Sequence, residues 1–412
     1  MNAQQEVTGR LELAAQALGS HGRSAGSPFA RARVPHAKAV PTLLIAVLAV
    51  LAVLGTTSAR AENPRAVTVM TQNLYQGTEF RHIQGLVGTN PTLGQALAAT
   101  TADYATYRAT RFAVRANEIA AEIAQAQPAL VGLQEVATWH KGFVDFAHPF
   151  ALPGPVNEDF VQELVAALAA DGMHYAPVVT HDNNFTLAFP AFASEGLRAV
   201  GMVESGVILA RTDLPTSELK LSNPQSGTYQ ARLPLIPNPL DPDPPHGVQF
   251  TNSWQAIDAK VRGKTFRFIT THLQFTPDGA VSGPQAQDLL DGPANTPLPV
   301  VVTGDMNSGP QSSPAAYNTF VAGGLSDSWP AAGLGPPPLT CCHLAPNDLV
   351  SDPNAIYTED DDHVFTRGGF SVFDEHLVGN TPPNPVPAAF IWPSDHAGVV
   401  ATLGIDPLPN SR

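Results

Sequence analysis

The stretch Pro299-Val300-Val301-Val302, followed by Thr303-Gly304-Asp305-Met306-Asn307, decides the fold. A short apolar, β-branched run without polar interruption reads as a strand buried on both faces. It gives way at once to a carboxylate, Asp305, and a carboxamide, Asn307. The same succession recurs along the chain. Ala66–Met70 runs into Thr71-Gln72-Asn73, Ala129–Leu133 into Gln134-Glu135, and Thr265–Thr270 into Thr271-His272. Asp395 and His396 stand instead just before the last apolar strand, Val399–Leu403. Chemistry-bearing side chains at the ends of rigid strands are what an active site on a sheet requires. Singly, each has a plainer reading: a Gly-Asp turn at 304–305, a satisfied strand histidine at 272, a loop cap at 394–396, a solvent-facing Glu135. Their recurrence is what argues for a site.

Helical patterns separate these strands. Phe112, Ala116, Ile119, Ala120 and Ile123 fall on one face of a helix between about Tyr104 and Ala126, and Pro128 stops it. Glu158–Ala170 reads as a second helix, closed by Asp171-Gly172. Further strands are expected at Gly206–Ala210 and Gln255–Val261, the latter joined to Thr265–Thr270 by the tight turn Arg262-Gly263-Lys264. Pro234–Gly247 and residues 378–393 are proline-rich and read as surface excursions, because strand patterns resume after each. The simplest organisation is one α/β domain from about Arg65 to Gly404, within a 62–412 remainder behind a leader.

That leader is read from residues 1–61. No charge occurs from Ala39 to Ala59, and Leu43–Leu54 is continuously apolar, with Lys38 and several Arg ahead of it and Ser58-Ala59-Arg60-Ala61 behind. Basic, apolar and small residues in that order predict a secretory signal cleaved after Ala61. The rival is an uncleaved membrane anchor, since the uncharged stretch is long enough to span.

Composition narrows the function classes. With 43% hydrophobic residues the chain is not disordered throughout. Its formal charge of −14 becomes −18 once residues 1–61 are removed, sixteen basic against thirty-four acidic residues. Such a field disfavours nucleic acid held by phosphate neutralisation, and no extended basic stretch or aromatic-plus-basic cluster counters it. Phe185–Phe192 reads as a hydrophobic loop able to touch a membrane. Two cysteines exclude a disulfide scaffold and any four-thiolate metal site. They are neighbours, Cys341 and Cys342, whose Cα atoms stand about 3.8 Å apart, below the usual disulfide window of about 4.4–6.8 Å. A strained bridge and two free thiols both stay open.

The polar set has a coherent chemistry. Oxygen donors such as Asn, Glu and Asp suit Mg²⁺, with Mn²⁺ as a substitute, and such ions also bind phosphate oxygens. A histidine beside a carboxylate can deprotonate water when a further carboxylate holds its ring. In order, the motifs are Met70-Thr71-Gln72-Asn73-Leu74, Leu133-Gln134-Glu135-Val136, Gly206-Val207-Ile208-Leu209-Ala210-Arg211 and Thr271-His272-Leu273. Gly304-Asp305-Met306-Asn307, Leu325-Ser326-Asp327-Ser328-Trp329 and Pro393-Ser394-Asp395-His396 follow. With this series the chain resembles the endonuclease/exonuclease/phosphatase superfamily over nearly all of its length behind the leader. Asn73-Leu74-Tyr75 and Thr340-Cys341-Cys342 look most like its secreted bacterial members.

The resemblance implies an α/β fold, a four-layer sandwich in which two mixed β-sheets pack face to face with helices outside. It implies a metal-dependent phosphoesterase with its cleft at one rim. Glu135 would bind the metal, Asn73 would orient metal and phosphate, and Asp395 would stand on the metal side. His396 would be the general base, Asp305 would position or activate the attacking water, Asn307 would hold phosphoryl oxygens and His272 would donate a hydrogen bond to them. The family's remaining carboxylate is usually preceded by Arg-Ile, which this chain lacks. Asp362 in Asp360-Asp361-Asp362-His363-Val364-Phe365 is expected to orient His396, because it begins an apolar strand after a polar turn; Asp374 is the rival. The expected function is a secreted Mg²⁺-dependent phosphoesterase preferring a lipid headgroup or small phosphate ester to DNA. The rivals are a secreted endonuclease and a non-catalytic ligand-binding descendant.

Overall fold

The structure, a computed structural model, describes residues 66–405 apart from 90, 235, 238–246, 344–350 and 384. The leader expected within residues 1–61 and the middle of Pro234–Gly247 lie outside the described residues. Fifteen strands follow in chain order: β1 Ala66–Asn73, β2 Leu130–Gly142, β3 Val156–Asp159, β4 Tyr175–Ala193, β5 Gly196–Arg211, β6 Leu219–Thr228, β7 Ile236–Pro237, β8 Gly247–Val248, β9 Ser253–Val261, β10 Lys264–His272, β11 Val300–Asp305, β12 Ser326–Asp327, β13 Asp362–Arg367, β14 Phe370–Val378 and β15 Gly398–Ile405. One sheet has the order β14-β15-β1-β2-β5-β4 with β3 beside β2, and the other β12-β13-β11-β10-β9-β6; β7 and β8 pair separately. β1 runs parallel to β2, and β10 to β11, while their other neighbours are antiparallel, so both sheets are mixed.

Side-chain alternation explains the layering. On β11, Val301 enters a cluster with Val69, Phe266, Phe268, Val364 and Leu403, drawn from both sheets. Val300 and Val302 point the other way, onto Leu289 of the helix Ser282–Asp291 and Phe320 of the helix Ala315–Ala322. The unbroken valine run therefore serves two apolar layers at once. On the far side, Phe112, Ile119 and Ile123 of the helix Phe112–Ala126 pack on Met70, Val131 and Leu133. Each fully buried Leu, Ile or Phe contributes about 1.5–3 kcal/mol relative to exposure. The result is the expected helix–sheet–sheet–helix sandwich.

Three local expectations are corrected. The helix read from Tyr104 to Ala126 is two helices, Leu93–Thr110 and Phe112–Ala126, parted at Arg111 in a left-handed conformation with φ +46°. The break lets each part bury a different face: Tyr107 stacks on Trp139 at 3.8 Å, and Phe112 on Phe160 at 3.6 Å. Phe185–Phe192 is no loop. It belongs to β4, where Leu187, Phe189 and Ala191 alternate into the core. The helix expected from Glu158 starts at Phe160, because Asp159 caps it by accepting from the Gln162 amide at 3.1 Å, leaving Glu158 in β3.

Candidate active site

Strand register assembles the site before any loop takes part. β10 and β11 lie parallel with His272 opposite Asp305, and β11 and β13 antiparallel with Asp305 opposite Asp362. Three chemistry-bearing residues therefore sit side by side at one rim of the second sheet. In the first sheet Asn73 ends β1 opposite Gln134 of β2. Glu135 is not at a strand end, as the sequence suggested. β2 continues to Gly142, and Glu135 lies in a bulge between Leu133 and Val136 with φ +52°. A bulge of this kind re-aims one side chain without ending the strand.

Asp305 is the hub. Its Oδ2 accepts from Asn73 Nδ2 at 3.0 Å and lies 3.5 Å from His272 Nε2 and 3.7 Å from His396 Nε2. Its Oδ1 accepts from the Asn307 amide at 2.9 Å. The fully buried Asn73 amide also donates to Glu135 Oε1 at 3.1 Å, joining the two sheets, and Gln76 N donates to Glu135 Oε2 at 2.8 Å. Asn307 Nδ2 donates to the Leu273 carbonyl at 2.8 Å, which holds that side chain at the cavity wall.

His396 Nδ1 lies 2.7 Å from Asp362 Oδ2. Asp374 is exposed and pairs with His376 at 3.0 Å, so Asp362 is the carboxylate against the ring. The loop before β15 is tied to the end of β1, because Ser394 Oγ donates to the Asn73 carbonyl at 2.7 Å and accepts from His396 N at 3.2 Å. Thr340 Oγ1 accepts from Asp361 N and Asp362 N, holding the start of β13. The open side of His396 faces a cavity of about 480 Å³ lined also by Glu135, Glu204, His272, Asp305, Asn307 and Asp395. Asn73 and Asp362 stand behind these residues.

Charge is concentrated here. Burial pulls the His396 imidazole down, but Asp362, Asp305 and Asp395 outweigh it and hold the ring well above its ordinary value. His272 follows the same balance, with Asp305 and Glu204 leaving it at about 10. Burial pushes the Asp395 carboxyl up to about 7; His396 and Arg115 oppose this, and Glu135 adds to it. Burial and the neighbouring Asp305, Glu359 and Asp362 likewise push Asp361 up to about 8. The sulfurs of Cys341 and Cys342 are joined to each other beside His396 Nε2, which closes the choice the sequence left open.

The endonuclease/exonuclease/phosphatase family model matches residues 70–396. The chain belongs to that family. Its members are metal-dependent phosphoesterases, and this enzyme is one of them. No curated protein matches the chain in sequence. Solved structures similar to it include a family protein from Bacteroides thetaiotaomicron, at 17% identity over 82% of this chain and 94% of that one, with a TM-score of 0.46. A Bacteroides thetaiotaomicron mannosyl-6-phosphatase shows 17% identity over 82% and 99%, TM-score 0.46. A family protein from Beutenbergia cavernae shows 20% identity over 84% and 73%, TM-score 0.46.

The donor chemistry of this phosphoesterase fits a hard divalent ion. Glu135 and Asp395 present oxygen to the same cavity, and burial, with a smaller contribution from Glu135, raises Asp395, a cost that a cation between the carboxylates relieves. Two contributors escaped the sequence reading. Glu204 lies 3.9 Å from His272 Nδ1 and lines the cavity; its signal was a carboxylate just ahead of the Gly206–Arg211 motif. Arg115 is fully buried and donates to the carbonyls of Leu74 at 2.5 Å, Tyr75 at 2.9 Å, Pro393 at 3.0 Å and Thr110 at 3.1 Å. It clamps the loop after β1 to the loop carrying Asp395 and His396. Its signal was a guanidinium on the apolar helical face of Phe112, Ala116 and Ile119.

Proposed function

We propose that this family member is an exported, Mg²⁺-dependent hydrolase of small or lipid-linked phosphate esters, with DNA a poor substrate. The observation that carries the hydrolytic reading is the Asp362–His396 pair, whose second ring nitrogen lies on the cavity side beside Asp305, with the weakly bonding sulfurs of Cys341 and Cys342 against it. Glu135 and Asp395 are the residues that hold the cation, which, when bound, neutralises charge on a phosphoryl oxygen. Asp305 accepts the proton of the attacking water, its two oxygens held by Asn73 and the Asn307 amide. The sequence suggested His396 as that base. We assign His396 instead to donate toward the phosphoryl group as negative charge builds, because its ring is held between Asp362 at Nδ1 and Asp305, 3.7 Å from Nε2, and Asp305 is the acceptor for the water. His272, 3.5 Å from Asp305, donates in the same way. Asp362 accepts from Nδ1, fixes the orientation of the His396 ring and stabilises its positive charge.

The cavity wall supports the substrate class. It carries six carboxylates, Glu79, Glu135, Glu204, Asp305, Glu359 and Asp395, and one guanidinium, Arg81. Such a wall attracts a cation; the cation together with His272 and His396 takes one phosphoryl group, and the surrounding carboxylates repel the neighbouring phosphates of a polyanion. Phe250 and the exposed Phe275 form an apolar side, suited to a lipid-linked or aryl leaving group. Among the described residues no helix is long and apolar enough to cross a membrane. Hydrolysis of bis-p-nitrophenyl phosphate should require Mg²⁺ or Mn²⁺ and stop in chelator. Full activity in excess EDTA would remove the metal from the reaction. Rapid plasmid nicking at physiological salt, without turnover of small or lipid diesters, would reverse the substrate ranking.

A further inference from the structure

We infer that Cys341, Cys342 and His396 form a second, soft-metal site, closed while the two sulfurs are bridged and opened by a dithiol, and that a zinc-class ion bound there takes His396 out of the reaction. The inhibitory consequence rests on the role proposed for His396; the binding itself does not.

The geometry is already close to a coordination shell. Cys341 Sγ lies 3.3 Å and Cys342 Sγ 3.8 Å from His396 Nε2. Zn–S bonds of about 2.3 Å and Zn–N bonds of about 2.0–2.1 Å place sulfur and nitrogen about 3.5 Å apart around a tetrahedral ion. Two thiolates on that ion stand about 3.8 Å apart, a separation that only a broken bridge allows. The bridge therefore closes the site, and its reduction opens it. On the far side of the ring, Asp362 meets Nδ1 at 2.7 Å, the carboxylate–histidine arrangement that supports metal-bound imidazoles.

An independent observation points to the same place. His343, next in sequence to Cys342, is only 6% exposed and lines the same cavity, yet neither of its ring nitrogens has a hydrogen-bond partner among the described residues. It is a nitrogen donor in reserve. The segment is held in place by Cys341 N donating to the Glu359 carbonyl at 2.9 Å and Ala397 N to the Thr340 carbonyl at 2.8 Å. Thiolate and imidazole select a zinc-class ion, whereas the oxygen donors Glu135 and Asp395 select Mg²⁺, so the two sites do not compete for one metal.

The redox step balances with a dithiol as reductant. One of its thiolates attacks the half-buried Cys342 sulfur and breaks the Cys341–Cys342 bond; its second thiol then closes on the first. Two electrons and two protons pass to the cysteine pair, and the reductant leaves as a cyclic disulfide. Metal binding afterwards displaces the thiol protons.

The test compares the whole chain in excess Mg²⁺, oxidised and after dithiothreitol followed by anaerobic desalting, by equilibrium dialysis against zinc. One zinc per chain should bind only after reduction, and cobalt in its place should show near-ultraviolet thiolate charge-transfer absorption. Hydrolysis of bis-p-nitrophenyl phosphate should fall at least tenfold with zinc bound and return on reoxidation. The variant Cys341→Ser/Cys342→Ser, its fold checked by circular dichroism, should lose the zinc. Equal zinc uptake in both redox states, or by the variant, would overturn the site. Zinc uptake without loss of hydrolysis would overturn the gating. A protein that takes up zinc on reduction but hydrolyses no phosphodiester in any state would refute the proposed function instead.

Discussion

Asp362 and His363 are consecutive on β13, and they belong to two histidine–carboxylate pairs on opposite faces of one sheet. Asp362 shares its face with Val364, between the sheets, and meets His396 at 2.7 Å. His363 shares its face with Phe365, under the outer helices, and meets Asp327 at 3.1 Å. Both rings are buried, and in both the carboxylate partners outweigh burial and favour the charged form, His363 reaching about 9. They differ at the second nitrogen. His363 Nε2 lies 2.7 Å from the Asp360 carbonyl, and its ring packs on Tyr317, so every polar atom is used. His396 Nε2 is turned to the cavity side with the sulfurs of Cys341 and Cys342 at 3.3 and 3.8 Å, weak partners that a stronger acceptor can replace. A buried histidine–carboxylate pair is therefore structural or chemical according to whether one nitrogen is left for a substrate, and a raised pKa does not distinguish the two.

The sharpest way to break this contrast is to remove each ring. His396→Ala, like Asp305→Ala, should lower kcat on bis-p-nitrophenyl phosphate by at least about 10²-fold, the scale of a positioned acid or base, while the fold survives. His363→Ala should keep kcat within a few-fold and lose stability in denaturant titration. Comparable kcat losses in both would erase the distinction drawn here.

A smaller effect is expected from the partners. Asp362→Asn should reduce kcat about tenfold or more with little change in Tm, because a carboxamide supplies no negative charge to hold the donating form of His396. Asp327→Asn should instead cost about 1.5–3 kcal/mol of stability, the range for a hydrogen bond to a charged group, and spare kcat. The reverse pattern would show that the two pairs had been assigned the wrong way round.

The smallest effect concerns pH. Beside the structural pair, Glu375 accepts from Ser328 Oγ at 2.9 Å, and burial pushes it up to about 8. Below its unfolded value of 4.5 the group is protonated in both states; above that, the folded protein alone keeps the proton until about 8. His363 likewise keeps its proton to about 9 against 6.5 when unfolded. Because the folded state binds more protons through this window, stability should fall as pH rises from 5 to 9. Scanning fluorimetry should show that decline, and Glu375→Gln should flatten its lower part by about 2–4 °C. A Tm independent of pH, or an unchanged slope in the variant, would contradict the burial argument.

Legibility varied residue by residue. Val300–Val302 was readable because an apolar run bounded by polar residues is a local signal. Asp362 was preferred to Asp374 because it begins an apolar strand after a polar turn, but the reason Asp374 is remote was not readable: β13 and β14 do not pair as neighbours and belong to different sheets. Glu135 was recognised as a candidate but misplaced at a strand end, because a bulge is set by pairing with β5 rather than by its own neighbours in sequence. The helix break at Arg111 escaped for a related reason: Trp139 and Phe160, which draw the two halves apart, are distant in sequence.

By itself the sequence determined the alternating elements, the family motifs in order and the residue types that meet at the rim, because periodicity, turn chemistry and motif spacing are short-range properties of a chain. Only the tertiary structure decided that Asn73 would bridge Glu135 and Asp305 across two sheets, that Arg115 would clamp two loops, and that Cys341, Cys342 and His343 would surround the open side of His396. These contacts join residues tens to hundreds of positions apart, and hydrogen-bond register and close packing between distant strands, rather than any local preference, set which side chains share a few ångströms.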